Sequence, residues 1–244
     1  MIDCCSPTGN RILDAIREVC IAMETQVPAR VSWDSLTEKA LWRELVGGIL
    51  GSRATYEQAV QAVQTLEDDG LLDGAAYAKR LATYQRRVED TLFRVGGGAE
   101  GGRRTSRYPY PRQRAERIRR SADAIYGRRQ TVRGLLREAA DPRMARRQLT
   151  ERVYGIGPKQ ASMFLRNIGY PGEYAVLDTH VLSYMQRVAS LVDELPRVQT
   201  LRDYERTEVV FLEHVNAQGL SPRTFDLGVW IVMRVAKRER VLCR

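Results

Sequence analysis

Val153-Tyr-Gly155-Ile156-Gly157-Pro158-Lys159-Gln-Ala-Ser-Met-Phe-Leu-Arg-Asn-Ile-Gly169 is the stretch whose reading decides the fold. One helix ends near Tyr154, two glycines bracket an isoleucine, and Pro158 opens the next helix where its missing N–H is harmless. So short a turn predicts two helices joined as a hairpin. Glycine at 155 and 157 permits positive φ and a close backbone approach. The free N–H groups that begin the second helix make an anion site. Ile156 is expected to plug back between the helices. Gly-x-Gly between helices also occurs as a plain turn, so the flanks must support any further reading.

Outward from the hairpin, helical spacing recurs and strand signals do not. Ser35-Leu-Thr-Glu38 reads as a capping box ahead of Leu41, Leu45 and Ile49, interleaved with Trp42, Val46 and Leu50. Amphipathic spacing predicts helices near 56–68, 75–92, 112–126, 130–139, 142–153, 179–190, 200–218 and 222–236. Gly219 fits a helix stop, and Ser221-Pro222 an N-cap with proline at the first helical position. The glycine-rich stretch from Gly96 to Arg107 cannot hold a helix and predicts a flexible loop. No repeat of fixed period recurs, so the expectation is an all-α globular chain and not a solenoid.

The chain has 244 residues, 43% of them hydrophobic and 28% charged, enough to bury a core and too apolar for wholesale disorder. Its longest apolar runs fall far short of the ~20 residues a bilayer-spanning helix needs. No basic segment followed by an apolar stretch opens the sequence, so we expect a cytoplasmic protein with no membrane partner. Cys4, Cys5, Cys20 and Cys243, with His180 and His214, show neither disulfide nor zinc spacing. No zinc, no iron–sulfur cluster and no other metal site is expected. Glu67-Asp-Asp69 is a tight acidic cluster but reads as a solvated helix end, against a metal-dependent nuclease.

Thirty-nine Lys plus Arg against thirty Asp plus Glu give a net +9. Between Arg103 and Arg147 fifteen arginines face four carboxylates, so this window is +11 and the remainder of the chain is −2. All fifteen are arginine, whose planar fork suits bidentate phosphate contacts, which points to a nucleic-acid backbone. The bland reading is a solvated, arginine-rich surface.

The hairpin resembles a helix–hairpin–helix element. Together with Val176-Leu177-Asp178-Thr-His180, nineteen residues past Lys159, it looks like the helix–hairpin–helix (HhH-GPD) DNA glycosylase superfamily. The likeness is strongest to Ogg-type 8-oxoguanine DNA glycosylase/AP lyases of archaea and bacteria. Leu41 to Leu50, Arg114-Ala-Glu-Arg117-Ile118 and Phe225 to Trp230 extend it outward over most of 36–235. The resemblance implies two helical lobes, residues 1–49 with 166–244 and residues 50–165, with Lys159 and Asp178 on opposite sides of the cleft. It implies a nucleoid-associated monomer whose partner is double-stranded DNA with a modified base. Base flipping would be followed by attack of Lys159 on the sugar, support of the developing charge by Asp178, and a Schiff base that permits β-elimination.

The same resemblance places Gly155, Ile156, Gly157 and His180 on DNA phosphate, with Arg53, Arg114 and Arg117 as further DNA contacts. A monovalent cation at the hairpin carbonyls is compatible with it. Asp226 and Trp230, four apart on one helical face, are candidates for the base pocket as acceptor and stacking platform. Plainer roles stand beside each: Asp178 as an N-cap, His180 as a surface histidine, Arg53 as solvated, Trp230 as core. Gly51-Ser-Arg53-Ala-Thr55 replaces a turn that is often Gln- or Asn-containing in the family, and the chain ends Arg240-Val-Leu-Cys-Arg244 where archaeal relatives end in lysine. The excised base therefore stays open between 8-oxoguanine and another modified base, such as a hypermodified phage cytosine, the latter a defence role. A non-catalytic DNA-binding module is the alternative from another class.

Overall fold

A computed structural model describes residues 7–26, 32–74, 77, 82–96, 99–100, 103–104 and 106–239. They form α1 (Pro7–Gln26), α2 (Glu38–Leu50), α3 (Tyr56–Asp68), α4 (Tyr84–Arg94), α5 (Pro111–Ile125), α6 (Val132–Arg137), α7 (Pro142–Arg152), α8 (Pro158–Asn167), α9 (Thr179–Arg187), α10 (Leu201–Ala217) and α11 (Pro222–Arg238). A 3-10 turn, Tyr126–Arg128, follows α5. The all-α expectation holds, save that Ala99–Glu100 pairs antiparallel with Arg103–Arg104. No helix of the described residues is long and apolar enough to cross a membrane.

The chain divides into two compact units, Val31–Tyr170 and Met1–Arg30 with Pro171–Arg244. These boundaries correct the expected 49/50 and 165/166. Residues 31–49 belong with the middle of the chain because α2 packs on α3, α5, α6 and α8. Its apolar stripe of Leu41, Trp42, Leu45, Val46, Ile49 and Leu50 is fully buried there. The hairpin helices α7 and α8 both lie in this unit.

In the other unit α11 is the central element, packing on α1, α9 and α10. Its core joins Ile12, Ile16 and Cys20 of α1 to Tyr184, Phe211, Phe225, Val229 and Met233. Gly228 is needed for that fit, since a Cβ there would stand 2.9 Å from Cys20 Sγ. Helix α1, with Ile12, Ile16 and Cys20 spaced four apart, was not among the expected helices.

Three local expectations are corrected. The cap of α2 is Thr37, which accepts from Ala40 N, while Ser35 Oγ donates to Ser32 O. Glu38 instead turns its carboxylate to the start of α6, accepting from Val132 N at 2.7 Å, Arg133 N at 3.1 Å and the Tyr126 hydroxyl. An anion at a helix N-terminus is favoured by the free amides there. The expected helix over 75–92 is seen over Tyr84–Arg94, with 75, 76 and 78–81 outside the described residues.

The expected flexible loop over 96–107 is pinned at its base: Tyr108 N donates to Val95 O at 3.1 Å, and the Gln58 side-chain amide donates to Ser106 Oγ at 2.8 Å. Within it, 97, 98, 101, 102 and 105 lie outside the described residues.

Candidate DNA-binding hairpin and catalytic site

Residues 153–157 between α7 and α8 make the expected hairpin. Gly155 has φ +87, a conformation that glycine alone adopts without strain. Gly157 does not: it caps α8 with φ −100 in extended backbone that any residue adopts. No side chain caps α8 and Pro158 has no N–H, so the first-turn amides of Lys159 and Gln160 face outward without a capping acceptor. Ile156 is buried, 5% exposed, and its methyl end lies close to Gly48 of α2, where a Cβ would approach to 3.1 Å. It therefore plugs the hairpin as expected, and its side chain is no DNA contact. Its N–H is turned inward to Val153 O at 3.4 Å.

Helix α5 supports the turn from behind. Ser121, fully buried, accepts from Tyr154 N at 3.0 Å, which fixes the residue before Gly155. Arg117 runs across Gly155, its Cδ 2.6 Å from where a Cβ would stand, and Arg120 stacks over the Tyr154 ring at 3.9 Å. The hairpin thus presents outward amides with a half-buried guanidinium at its elbow, which suits a phosphate. Sequence reasoning missed Ser121, Tyr154 and Arg120. The i, i+3, i+4 spacing of 117, 120 and 121 was visible, but the turn they serve was not.

Arg114 is corrected from DNA contact to buried support. It is 1% exposed, and its Nη2 donates to Ser52 O, while Nε and Nη1 have no hydrogen-bond partner. Burial lowers the guanidinium pKa from its usual value, opposed by Tyr108 and assisted by the nearby charges of Arg117 and Arg53. Tyr108 donates to Leu50 O at 2.7 Å, and burial raises its hydroxyl to about 12. Arg114 and Tyr108 thus hold the α2–α3 turn from inside, and that turn carries exposed Arg53 at φ +58, a left-handed conformation sparse for a non-glycine residue.

The arginine window is correspondingly less free than its count. Arg146 is buried against Ser162 Oγ at 3.0 Å, Arg133 donates to Asp34 O and Leu36 O, and Arg112, Arg119 and Arg120 pair with Glu89, Asp123 and Glu116.

Lys159 stands half-buried on the first turn of α8, and its side chain makes no hydrogen bond or ion pair to a described residue. Asp178, in the other unit, is the N-cap of α9: its Oδ1 accepts from His180 N at 2.8 Å and Val181 N at 2.9 Å. Asp178 thus has the plain capping role, made through one carboxylate oxygen, Oδ1. His180 is half-buried on the first turn of α9. Asp226 is corrected as a pocket acceptor: it is 2% exposed, and its Oδ2 accepts from Val176 N at 2.7 Å. Trp230 is half-buried, with the Arg234 guanidinium 5.1 Å over its ring. Among the described residues no cluster of three or more His, Cys, Asp or Glu could hold a metal ion.

Residues 101–220 match the family model described as 8-oxoguanine DNA glycosylase, Ogg-HhH. An 8-oxoguanine DNA glycosylase/AP lyase of Korarchaeum cryptofilum is 30% identical over 196 residues, covering 80% of this chain and 81% of that one. One from Thermotoga sp. (strain RQ2) is 35% identical over 125 residues, 51% of this chain. The match spans only 56% of that Thermotoga relative's length. The crystal structure of the Thermotoga maritima 8-oxoguanine DNA glycosylase superposes with a TM-score of 0.70 at 26% identity, over 91% of this chain and 95% of that one. The chain belongs to the Ogg-type helix–hairpin–helix family of 8-oxoguanine DNA glycosylases.

Proposed function

We propose that the chain is a bifunctional DNA glycosylase of 8-oxoguanine type: it extrudes a damaged base from duplex DNA, cleaves the N-glycosidic bond and nicks the strand. The observation that carries the reading is Lys159, free of ion pairing to any described residue, on the first turn of a helix that no side chain caps, directly behind the Gly155 elbow. The hairpin amides and Arg117 take a backbone phosphate, and that grip delivers the neighbouring nucleotide to the lysine. Binding alone needs no lysine there, which favours the enzyme over a passive clamp. The resemblance of the sequence to family members that excise 8-oxoguanine, and the names of the Korarchaeum and Thermotoga relatives, support the substrate class.

The chemistry follows from these groups. The lysine amine, once deprotonated, attacks C1′; the C1′–N bond breaks and the base leaves with the electron pair, to be protonated. Asp178 stabilises positive charge developing on the sugar. The amine now bound to C1′ opens the ring to a Schiff base, and loss of the C2′ proton expels the 3′ phosphate by β-elimination. No metal enters a step, and the chain is taken to act as a monomer.

Borohydride reduction during turnover of an 8-oxoguanine duplex tests this. Wild-type protein should become covalently attached to DNA, and Lys159→Gln should give no adduct while still binding. An adduct with Lys159→Gln would remove the lysine from its role. A parallel panel of duplexes, each with one modified base, fixes the substrate: release of another base, with 8-oxoguanine untouched, would overturn the assignment.

A further inference from the structure

Residues 171–178, between α8 and α9, are neither helix nor strand, yet Tyr174, Ala175, Val176 and Leu177 are all buried. Buried backbone amides need acceptors, and here no sheet supplies them. Three side chains do. Glu208 of α10 accepts from Ala175 N at 3.0 Å, Asp226 of α11 from Val176 N at 2.7 Å, and the Tyr204 hydroxyl of α10 from Leu177 N at 3.2 Å. Tyr204 also donates to Ala175 O. Three successive amides are thereby held by three buried polar groups, each no more than 5% exposed.

Two carboxylates buried in one core are costly to desolvate, and a connecting segment has cheaper ways to satisfy its amides. The next residue explains the arrangement. Asp178 N donates back to Val176 O at 2.8 Å, and Asp178 Oδ1 then caps α9 through His180 N and Val181 N. The place of the Asp178 carboxylate is fixed from behind by residue 176, which Asp226 holds.

We propose that Asp226, Glu208 and Tyr204 are positioning residues for Asp178. They form a clamp on residues 175–177 that sets where the carboxylate stands, and they touch no substrate themselves. All members belong to one unit, and Tyr204 and Glu208, four apart, share a face of α10. Their consequence for turnover rests on the reading of Asp178 given above.

Two measurements on the full chain decide it. The first is hydrogen exchange, which needs no activity. Tyr204→Phe and Asp226→Ala should speed exchange about tenfold at Leu177 and Val176 respectively, and also at His180 and Val181, the amides Asp178 caps. Acceleration confined to 176 and 177 would overturn the link to Asp178. The second is single-turnover base release. Each variant should lower the rate about tenfold with DNA affinity little changed, and Asp226→Asn, which keeps an oxygen for Val176 N, should restore most of it. In an Asp178→Asn background the same substitutions should cost nothing further. A loss that multiplies undiminished in that background would mean a merely structural role and refute the clamp. If the wild type releases no base from any duplex, the functional reading falls, while the exchange experiment still decides the clamp.

Discussion

Gly155→Ala isolates the elbow of the hairpin. At φ +87 an L-residue is strained, by roughly 1–2 kcal/mol for a left-handed conformation. The new Cβ would also stand 2.6 Å from Arg117 Cδ and 3.3 Å from its Cγ and Nε, so the guanidinium must leave its rotamer, at about 1 kcal/mol more. Together these come to about 2–3 kcal/mol, or a fall in Tm of roughly 5–10 °C for a chain of this size. Gly157→Ala is the internal control: its φ is −100, and the nearest atom to an added Cβ is Gln160 Oε1 at 3.4 Å, so Tm should move little. Thermal melting reads this part. Because Arg117 is displaced, affinity for duplex DNA should also fall, with the slope of log affinity against log salt flatter by about one. Adding Arg117→Ala to Gly155→Ala should restore the part of the Tm loss due to crowding and leave the strain. Equal effects of alanine at 155 and 157, or an unchanged Tm for Gly155→Ala, would refute the assignment of the elbow.

Ser121→Ala leaves Tyr154 N without its acceptor and should cost about 1–2 kcal/mol in denaturant melts, with DNA affinity falling in parallel; an unchanged midpoint would show that α5 does not hold the turn. Arg114→Met removes a guanidinium that is 1% exposed and directed to Ser52 O, so the salt slope of DNA binding should stay that of the wild type, whatever the variant costs in stability. A slope lower by about one would return Arg114 to the phosphate contacts. His214, held by the Tyr184 hydroxyl at 2.8 Å, has its pKa lowered by burial and then by Arg17. The folded state therefore binds that proton less readily than the unfolded chain. Its contribution to stability is full above pH 6.5 and is lost as pH falls from there through the lowered folded-state value. Tm measured between about pH 7.5 and 5 should fall more steeply for the wild type than for His214→Gln, and parallel curves would remove His214 from the acid response.

The helices were legible because their burial follows a 3.6-residue period. α3 was placed to the residue at 56–68, and α5, α7, α10 and α11 to within one or two at either end. The capping box at 35–38 misled because a glutamate three residues after a serine is a local pattern, whereas Glu38 found acceptor duties at Val132 and Arg133, more than ninety residues away. The lobe boundary misled for a related reason. Position 49/50 is a break in the sequence, at the end of α2, but a helix goes with whatever its apolar stripe meets, and α2 meets the middle of the chain. The two hairpin glycines looked equivalent, and only the backbone torsions separate 155, which requires glycine, from 157, which does not.

Charged residues were the least legible of all, and the reason bears on how a basic sequence should be read. Residue type states what a side chain can do; whether it is available depends on partners far along the chain. Arg114 goes to Ser52, 62 residues away, Asp226 to Val176, 50 away, and Glu208 to Ala175, 33 away. Arg114 looked like a group facing DNA and Asp226 like one facing a base, Glu208 carried no expectation, and each is a fastener inside its unit. Arg117 differs from them: it is half-buried, its side chain lies on the Gly155 elbow, and its role as a phosphate contact is part of the proposed function. The window's +11 therefore overstates the charge offered to a polyanion: its buried and ion-paired arginines displace few counterions on binding. A salt slope set by the free arginines alone, well short of fifteen, is the quantitative form of that distinction, and it separates an arginine surface built for DNA from arginines the fold has already used.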